Sequence, residues 1–76
     1  MNEERVNHPS YYSHPSGIEC IDIIKHYDFC IGNVIKYVWR AGLKKEQGLS
    51  DKQKEIEDLK KAIFYLNEKI KMLENE

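Results

Sequence analysis

The chain predicts an all-α protein: an extended N-terminal arm, two short helices and one long C-terminal heptad-bearing helix, assembled as an oligomer. Three observations carry this expectation. Apolar residues at Ile56, Leu59, Ile63, Leu66, Ile70 and Leu73 alternate by threes and fours, the a/d spacing of a coiled-coil seam. Plotted at about 100° per residue, the stretch from Gly32 to Gly42 separates into two faces. Each predicted helix also opens on a residue suited to cap it: Ser16 with Glu19, Asp28, and Ser50 with Gln53. The expected division is an arm over 1–16, helices over 17–27 and 29–41, and a long helix over 51–75, all in one domain.

The arm follows from its prolines. His8 and His14 each precede one, and a residue before proline is pushed out of the helical region. Tyr11 and Tyr12 lie between the two and are expected to lie across the helices, rings on apolar surface and hydroxyls free to bond. In the first helix, Ser16 and Glu19 form an S-x-x-E capping box, and Cys20, Ile23, Ile24 and Tyr27 make the inner face, with Ile21 beside them. Glu19, Asp22 and His26 line the other side.

The second helix carries the most information. Asn33, Lys36, Tyr37 and Arg40 share one arc, spaced i, i+3, i+4 and i+7, while Ile31, Val34, Ile35, Val38, Trp39 and Ala41 fill the opposite side. The expectation is that the apolar face builds the core and the polar face binds an anion. Gly42 should end this helix by taking the left-handed conformation. The third helix would be about 37 Å long, at ~1.5 Å per residue. A compact globule of this chain length should have a radius of gyration near ~11 Å, so the helix should overhang its own domain. Its back carries Phe64, Tyr65 and Met72, which leaves it apolar on two sides and favours self-association through the heptad seam.

Composition limits the function. With 76 residues the chain has little core to bury and is marginal without a partner or a cross-link. A formal net charge of −1, with bases and acids interleaved, offers nothing for nucleic acid or an anionic membrane surface, so any anion site must be local. No apolar run approaches the ~18 residues of a membrane span, and Met1 to Arg5 lack the apolar core of a signal peptide. A cytoplasmic location is expected, with Cys20 and Cys30 as free thiols on helix faces.

The candidate chemistry is equally circumscribed. The chain has neither a Walker-type loop nor G-x-G-x-x-G. Lys36 and Arg40, one turn apart with Asn33 nearby, suit a phosphate or carboxylate, and Tyr11, Tyr12, Tyr37 or Trp39 offer stacking surfaces. The competing reading pairs the same two cations with Glu19, Asp22 or Asp58. The pairs Glu19 with Asp22 and Glu55 with Asp58 each set two carboxylates on one helical face, an arrangement that binds Mg²⁺ in phosphate chemistry. That pattern arises easily in charged helices. His8, His14, Cys20, His26 and Cys30 have spacings that fit no usual structural zinc site. No nucleophile and base pair is evident.

Four blocks in order, from Val6 to Tyr12, Gly17 to Asp22, Gly32 to Arg40 and Glu57 to Leu66, resemble a small bacteriophage family. That family is catalogued as a domain of unknown function and labelled nucleotide kinase-like, because it shares a segment with the T7-type phage nucleotide kinase. The resemblance implies that His8, Tyr12, Asn33, Lys36, Tyr37, Arg40, Asp58, Lys61 and Tyr65 share a ligand-binding site. Tyr11 stands where the family's opening block, H-P-x-H-Y, has its second histidine, which puts any catalytic role for that position in doubt. Asp58, Lys61 and Tyr65 lie away from the heptad seam and so should face the second helix. The function expected is binding of a phosphorylated nucleotide or nucleotide-derived signal in the host cytoplasm, as a non-catalytic sponge against nucleotide-based immunity or on nucleotide pools. No resident cofactor or metal is expected, Mg²⁺ entering only with a nucleotide. The alternatives are a nucleoside monophosphate kinase-like phosphotransferase and a helical protein-binding adaptor.

Overall fold

The computed structural model describes residues 16–76. The expectations for the arm, including His8, Tyr11 and Tyr12, lie outside the described residues. Three helices follow in order: α1 (Cys20–Ile24), α2 (Phe29–Arg40) and α3 (Asp51–Glu74). The all-α expectation is met.

Helix α1 is shorter at both ends than the predicted 17–27, and the first capping box does not form. Gly17 has φ +82, so the chain turns there instead of entering a helix. Ser16 Oγ accepts the Ile18 N–H at 3.2 Å, and Glu19 becomes an N-cap whose side chain makes no cap bond. At the other end, His26 and Tyr27 donate to the carbonyls of Ile23 and Ile24 in tight three-residue turns. The chain has to extend at Asp28, at ψ 175, to cap the next helix, so α1 cannot run on. Tyr27, expected on the inner face, is exposed.

The other two starts match their sequence signals. Asp28 Oδ1 accepts the Ile31 N–H at 2.8 Å. Ser50 and Gln53 exchange both bonds of a capping box, at 2.9 and 3.0 Å. Helix α2 stops at Gly42, which takes φ +83, while Leu43 and Lys44 donate back to the Arg40 carbonyl. This is the αL closure that the glycine predicted.

Helix α2 folds back on α3, and α1 packs on α2. The overall extents are 45 × 29 × 23 Å with a radius of gyration of 13.9 Å, more than the ~11 Å of a compact chain of this length. Helix α3, with 24 residues, is itself about 36 Å long at ~1.5 Å per residue.

Packing reverses one prediction. The apolar face of α2 was expected to build the core, but the side that meets α3 carries Cys30, Tyr37 and Arg40. Val38 on the opposite side is exposed, while Val34, Ile35 and Trp39 are half-buried. The reason lies across the interface: α3 presents Asp58, Tyr65 and Lys69 toward α2, and these match a polar stripe better than an apolar one. Among the described residues, the buried apolar side chains are only Cys20, Cys30 and Ala62, while Arg40, Lys54 and Asp58 are buried beside them.

Candidate functional site

The centre of the α2–α3 contact is ionic. Asp58, fully buried, uses Oδ1 to accept from Arg40 Nε at 3.2 Å and Arg40 Nη2 at 3.1 Å. The Lys54 ammonium lies 3.5 Å from the same oxygen, 2.8 Å from Glu57 and 3.4 Å from Glu46. Glu57 also meets Lys61 at 3.1 Å. Asp58 Oδ2 is buried with no hydrogen-bond partner. A group buried this way is costly to leave unmatched, so the surrounding cations, not apolar packing, keep the carboxylate inside.

These neighbours shift one another's proton affinity. The hydrogen bond from Lys54, then that from Lys61, pulls the Glu57 carboxyl down to about 2. The same bond to Glu57 holds the Lys54 ammonium above the usual lysine range against the opposing effect of burial. Burial, followed by the charges of Arg40 and Lys54, pushes Lys44 below its ordinary value.

Aromatic rings continue the contact along the helices. Tyr37 and Tyr65 stack with centroids 5.9 Å apart and an interplanar angle of 12°, and Phe29 and Phe64 meet Tyr65 edge-on. Three cations surround the Tyr37 ring: Arg40 Cζ at 4.5 Å, Lys36 Nζ at 4.7 Å and Lys61 Nζ at 5.5 Å from its centroid. Such placement over an aromatic face is attractive, by roughly 0.5–1 kcal/mol at an exposed site. At the far end, Asp28 Oδ2 accepts from Lys69 at 2.7 Å. That bond holds the Asp28 carboxyl below the usual range.

Five of the residues expected to share a site, Tyr37, Arg40, Asp58, Lys61 and Tyr65, do come together between α2 and α3. Arg40 is engaged with Asp58, as the competing reading had it. Asn33 turns elsewhere: its Nδ2 donates to the Phe29 carbonyl of its own helix at 2.8 Å. Asn33 and Lys36 line a shallow groove of about 300 Å³ between α1 and the start of α2, with Ile21, Ile24 and Lys25 on its far side. Lys36 belongs to both places, since its ammonium also approaches the Tyr37 ring. Among the described residues Lys36 makes no ion pair, and it is half-buried.

Sequence reasoning overlooked Lys54, Glu57 and Glu46. Their signal was present, because Lys54 stands i, i+3 to Glu57 and i, i+4 to Asp58 on the face that carries Lys61 and Tyr65. The two cysteines are free thiols, both buried, and burial pushes the Cys20 thiol up while nearby Lys36 works against it. Asp22, once a candidate metal ligand, pairs with Lys25 at 3.6 Å, and Asp58 is spent on Arg40 and Lys54.

Fold and site together define a small all-α protein whose helical hairpin is closed by a buried ionic cluster. The chain belongs to the family of proteins of unknown function designated DUF3310, whose model matches residues 6–67. It is similar to the "Gene 1.7 protein" of Enterobacteria phage T3, with 39% identity over 67 residues, covering 79% of this chain and 38% of that protein. The chain thus spans well under half the length of that relative. No solved structure matches it. No described helix is long and apolar enough to cross a membrane.

Proposed function

We propose that this is a phage protein that binds a phosphorylated nucleotide or nucleotide-derived signal and holds it without converting it. The observation that supports this most is Lys36, a half-buried cation with no ion pair among the described residues, set between the groove and the Tyr37 ring. Such a cation is suited to a ligand phosphate, with Tyr37 beside it. A groove of about 300 Å³ lies at the small end of ligand sites and suits a mononucleotide-sized unit better than a polymer. In this reading Arg40 and Asp58 act mainly through position, holding Tyr37 and α3 in place. Tyr65 backs Tyr37 from α3. Removing a nucleotide messenger from solution, or altering a nucleotide pool, would be the benefit to a phage.

The test is a thermal-shift panel of nucleoside mono-, di- and triphosphates and cyclic nucleotides, with wild type and Lys36→Ala. A ligand present at a hundredfold excess over Kd stabilises by about 2.7 kcal/mol, which for a chain of this size is roughly 10 °C or more in Tm. The expected result is such a shift for at least one nucleotide, lost in Lys36→Ala, with unaltered nucleotide recovered after heat denaturation. Turnover of a monophosphate with ATP, lost in the same variant, would replace this proposal with the phosphotransferase reading. No shift across the whole panel would reject ligand binding and leave a protein-binding adaptor. The proposal also includes self-association through α3, read out by sedimentation at micromolar concentration.

A further inference from the structure

The heptad seam of α3 lies bare along the single chain. Ile56, Leu59, Ile63, Leu66, Ile70 and Leu73 are each between 41% and 56% exposed, while Lys54, Asp58 and Ala62 on another side of the same helix are buried. An apolar row of that length, beside only three buried apolar side chains among the described residues, calls for a partner. We infer that its occupant is a second copy of α3, lying parallel and in register as a two-stranded coiled coil. This rests on the self-association proposed above and adds the strand number and direction.

The seam residues themselves choose the arrangement. Every a position is isoleucine (56, 63, 70) and every d position is leucine (59, 66, 73). In parallel coils, β-branched residues at a with leucine at d favour two strands, because the a and d layers pack their side chains at different angles. Parallel pairing sets isoleucine on isoleucine and leucine on leucine in alternate layers. Antiparallel pairing mixes them in every layer and loses that match.

The flanking charges agree. The g positions are Glu55, Ala62 and Lys69, and the e positions that follow are Lys60, Asn67 and Glu74. In a parallel coil each g residue meets the next e residue across the seam. Glu55 then faces Lys60 of the partner subunit, and Lys69 faces Glu74 of the partner subunit, with no like charges opposed. An antiparallel coil also matches these signs, so charge supports a second copy and the layer composition sets its direction. With 24 residues, α3 supplies more than three heptads, about the least that sustains such a coil.

One consequence concerns the ligand site. Helix α2 covers the g side of α3, where Ala62 is buried and Lys69 is bonded to Asp28. In a parallel pair the two g edges lie on opposite flanks. The two Lys36 sites would therefore face away from each other and fill independently, two ligands to a dimer.

The variants Ile56→Cys and Leu73→Cys, each adding one cysteine, test this in the full chain, with sedimentation to give the subunit number. Both positions are exposed in the single chain, so the fold should persist, and helical circular dichroism checks it. The native cysteines are buried, and wild type serves as the control. The expected result is a dimer in which each variant cross-links to itself on mild oxidation. In an antiparallel pair, Leu73 would sit ~25 Å from its own copy, and only a mixture of the two variants would cross-link. That outcome would overturn the parallel arrangement while leaving self-association standing. A trimer or tetramer would overturn the strand number, and a monomer at micromolar concentration would overturn both proposals.

Discussion

Asp58→Asn removes one charge from the buried centre of the α2–α3 contact. In the native chain its Oδ1 serves Arg40 at 3.1 and 3.2 Å and Lys54 at 3.5 Å. Arg40 and Lys54 are themselves only 6% and 1% exposed. After the substitution Lys54 keeps Glu57 at 2.8 Å, but Arg40 exchanges its buried carboxylate for a neutral amide oxygen. Breaking a buried pair from one side costs about 3–5 kcal/mol, and the surviving Glu57 contact places this variant near the lower end. At ~0.05–0.15 kcal/mol per residue the whole chain has only about 4–11 kcal/mol to lose.

Urea unfolding followed by circular dichroism measures the loss, at one fixed protein concentration because association adds to apparent stability. With m near ~1 kcal/mol/M, the midpoint should fall by about 3 M. The double variant Arg40→Met, Asp58→Leu removes both charges and fills the space with apolar atoms. It should recover most of the loss, since buried pairs are commonly replaced by packed apolar residues at little cost. A single variant within ~1 kcal/mol of wild type, or a double variant that merely adds the two single losses, would refute an ionic centre held by mutual compensation.

Two further perturbations act on separate parts of the fold. Glu57 is drawn from 4.5 to about 2 in the folded chain, so below pH 4.5 the unfolded chain takes up a proton that the folded one refuses. Its contribution is thus present above pH 4.5 and lost as pH falls toward about 2, with Asp28, held low by Lys69, acting in the same direction. Tm measured between pH 5 and 2 should fall, and Glu57→Gln should flatten that slope; an unchanged slope would mean that other carboxylates control acid unfolding. Gly42→Ala places a side chain at φ +83, with its Cβ 3.4 Å from the Glu55 carboxyl group. It should cost about 1–2 kcal/mol in urea unfolding, and a loss under ~0.5 kcal/mol would show that the α2 terminus does not depend on the left-handed turn.

Most of the fold was legible because its signals are local. Asp28 and the Ser50–Gln53 box satisfy amides within three residues, and Gly42 acts on its own φ, so nothing distant overrides them. Ser16 and Glu19 carried the same signature and failed, because Gly17 between them turned left-handed and broke the frame that the box requires. The heptad seam was legible for the same reason, as a regular row that α2 leaves uncovered. Harder to read was which face of α2 turns inward. Hydrophobic patterning assumes that apolar sides are buried, and here the stripe with Tyr37 and Arg40 meets α3 because α3 answers it residue by residue. That complementarity belongs to a pair of helices and to neither one alone. The candidate site inherits the same limit. Tyr37, Arg40, Asp58, Lys61 and Tyr65 were grouped in advance, whereas Asn33 donates within its own helix and lines the groove beside Lys36 instead.

The placement of charge in this hairpin has a mechanical logic. Two ionic contacts join α2 to α3, Asp28 with Lys69 at one end and Arg40 with Asp58 near the other. Asp28 and Arg40 are twelve positions apart, about 18 Å along a helix, and Asp58 and Lys69 are eleven apart, about 16.5 Å. The spans agree within ~2 Å, so both contacts form together in one register. A slip of one turn, ~5.4 Å, would break both and strand a buried carboxylate. Apolar side chains alone would tolerate such a slip, since one leucine or isoleucine substitutes readily for another. Fixing register is the best-attested use of buried ions in helical assemblies. Here it leaves the isoleucines and leucines of α3 facing outward in unbroken order. The polar interior and the apolar exterior are then one arrangement: the ions set the hairpin and leave the apolar row of α3 bare.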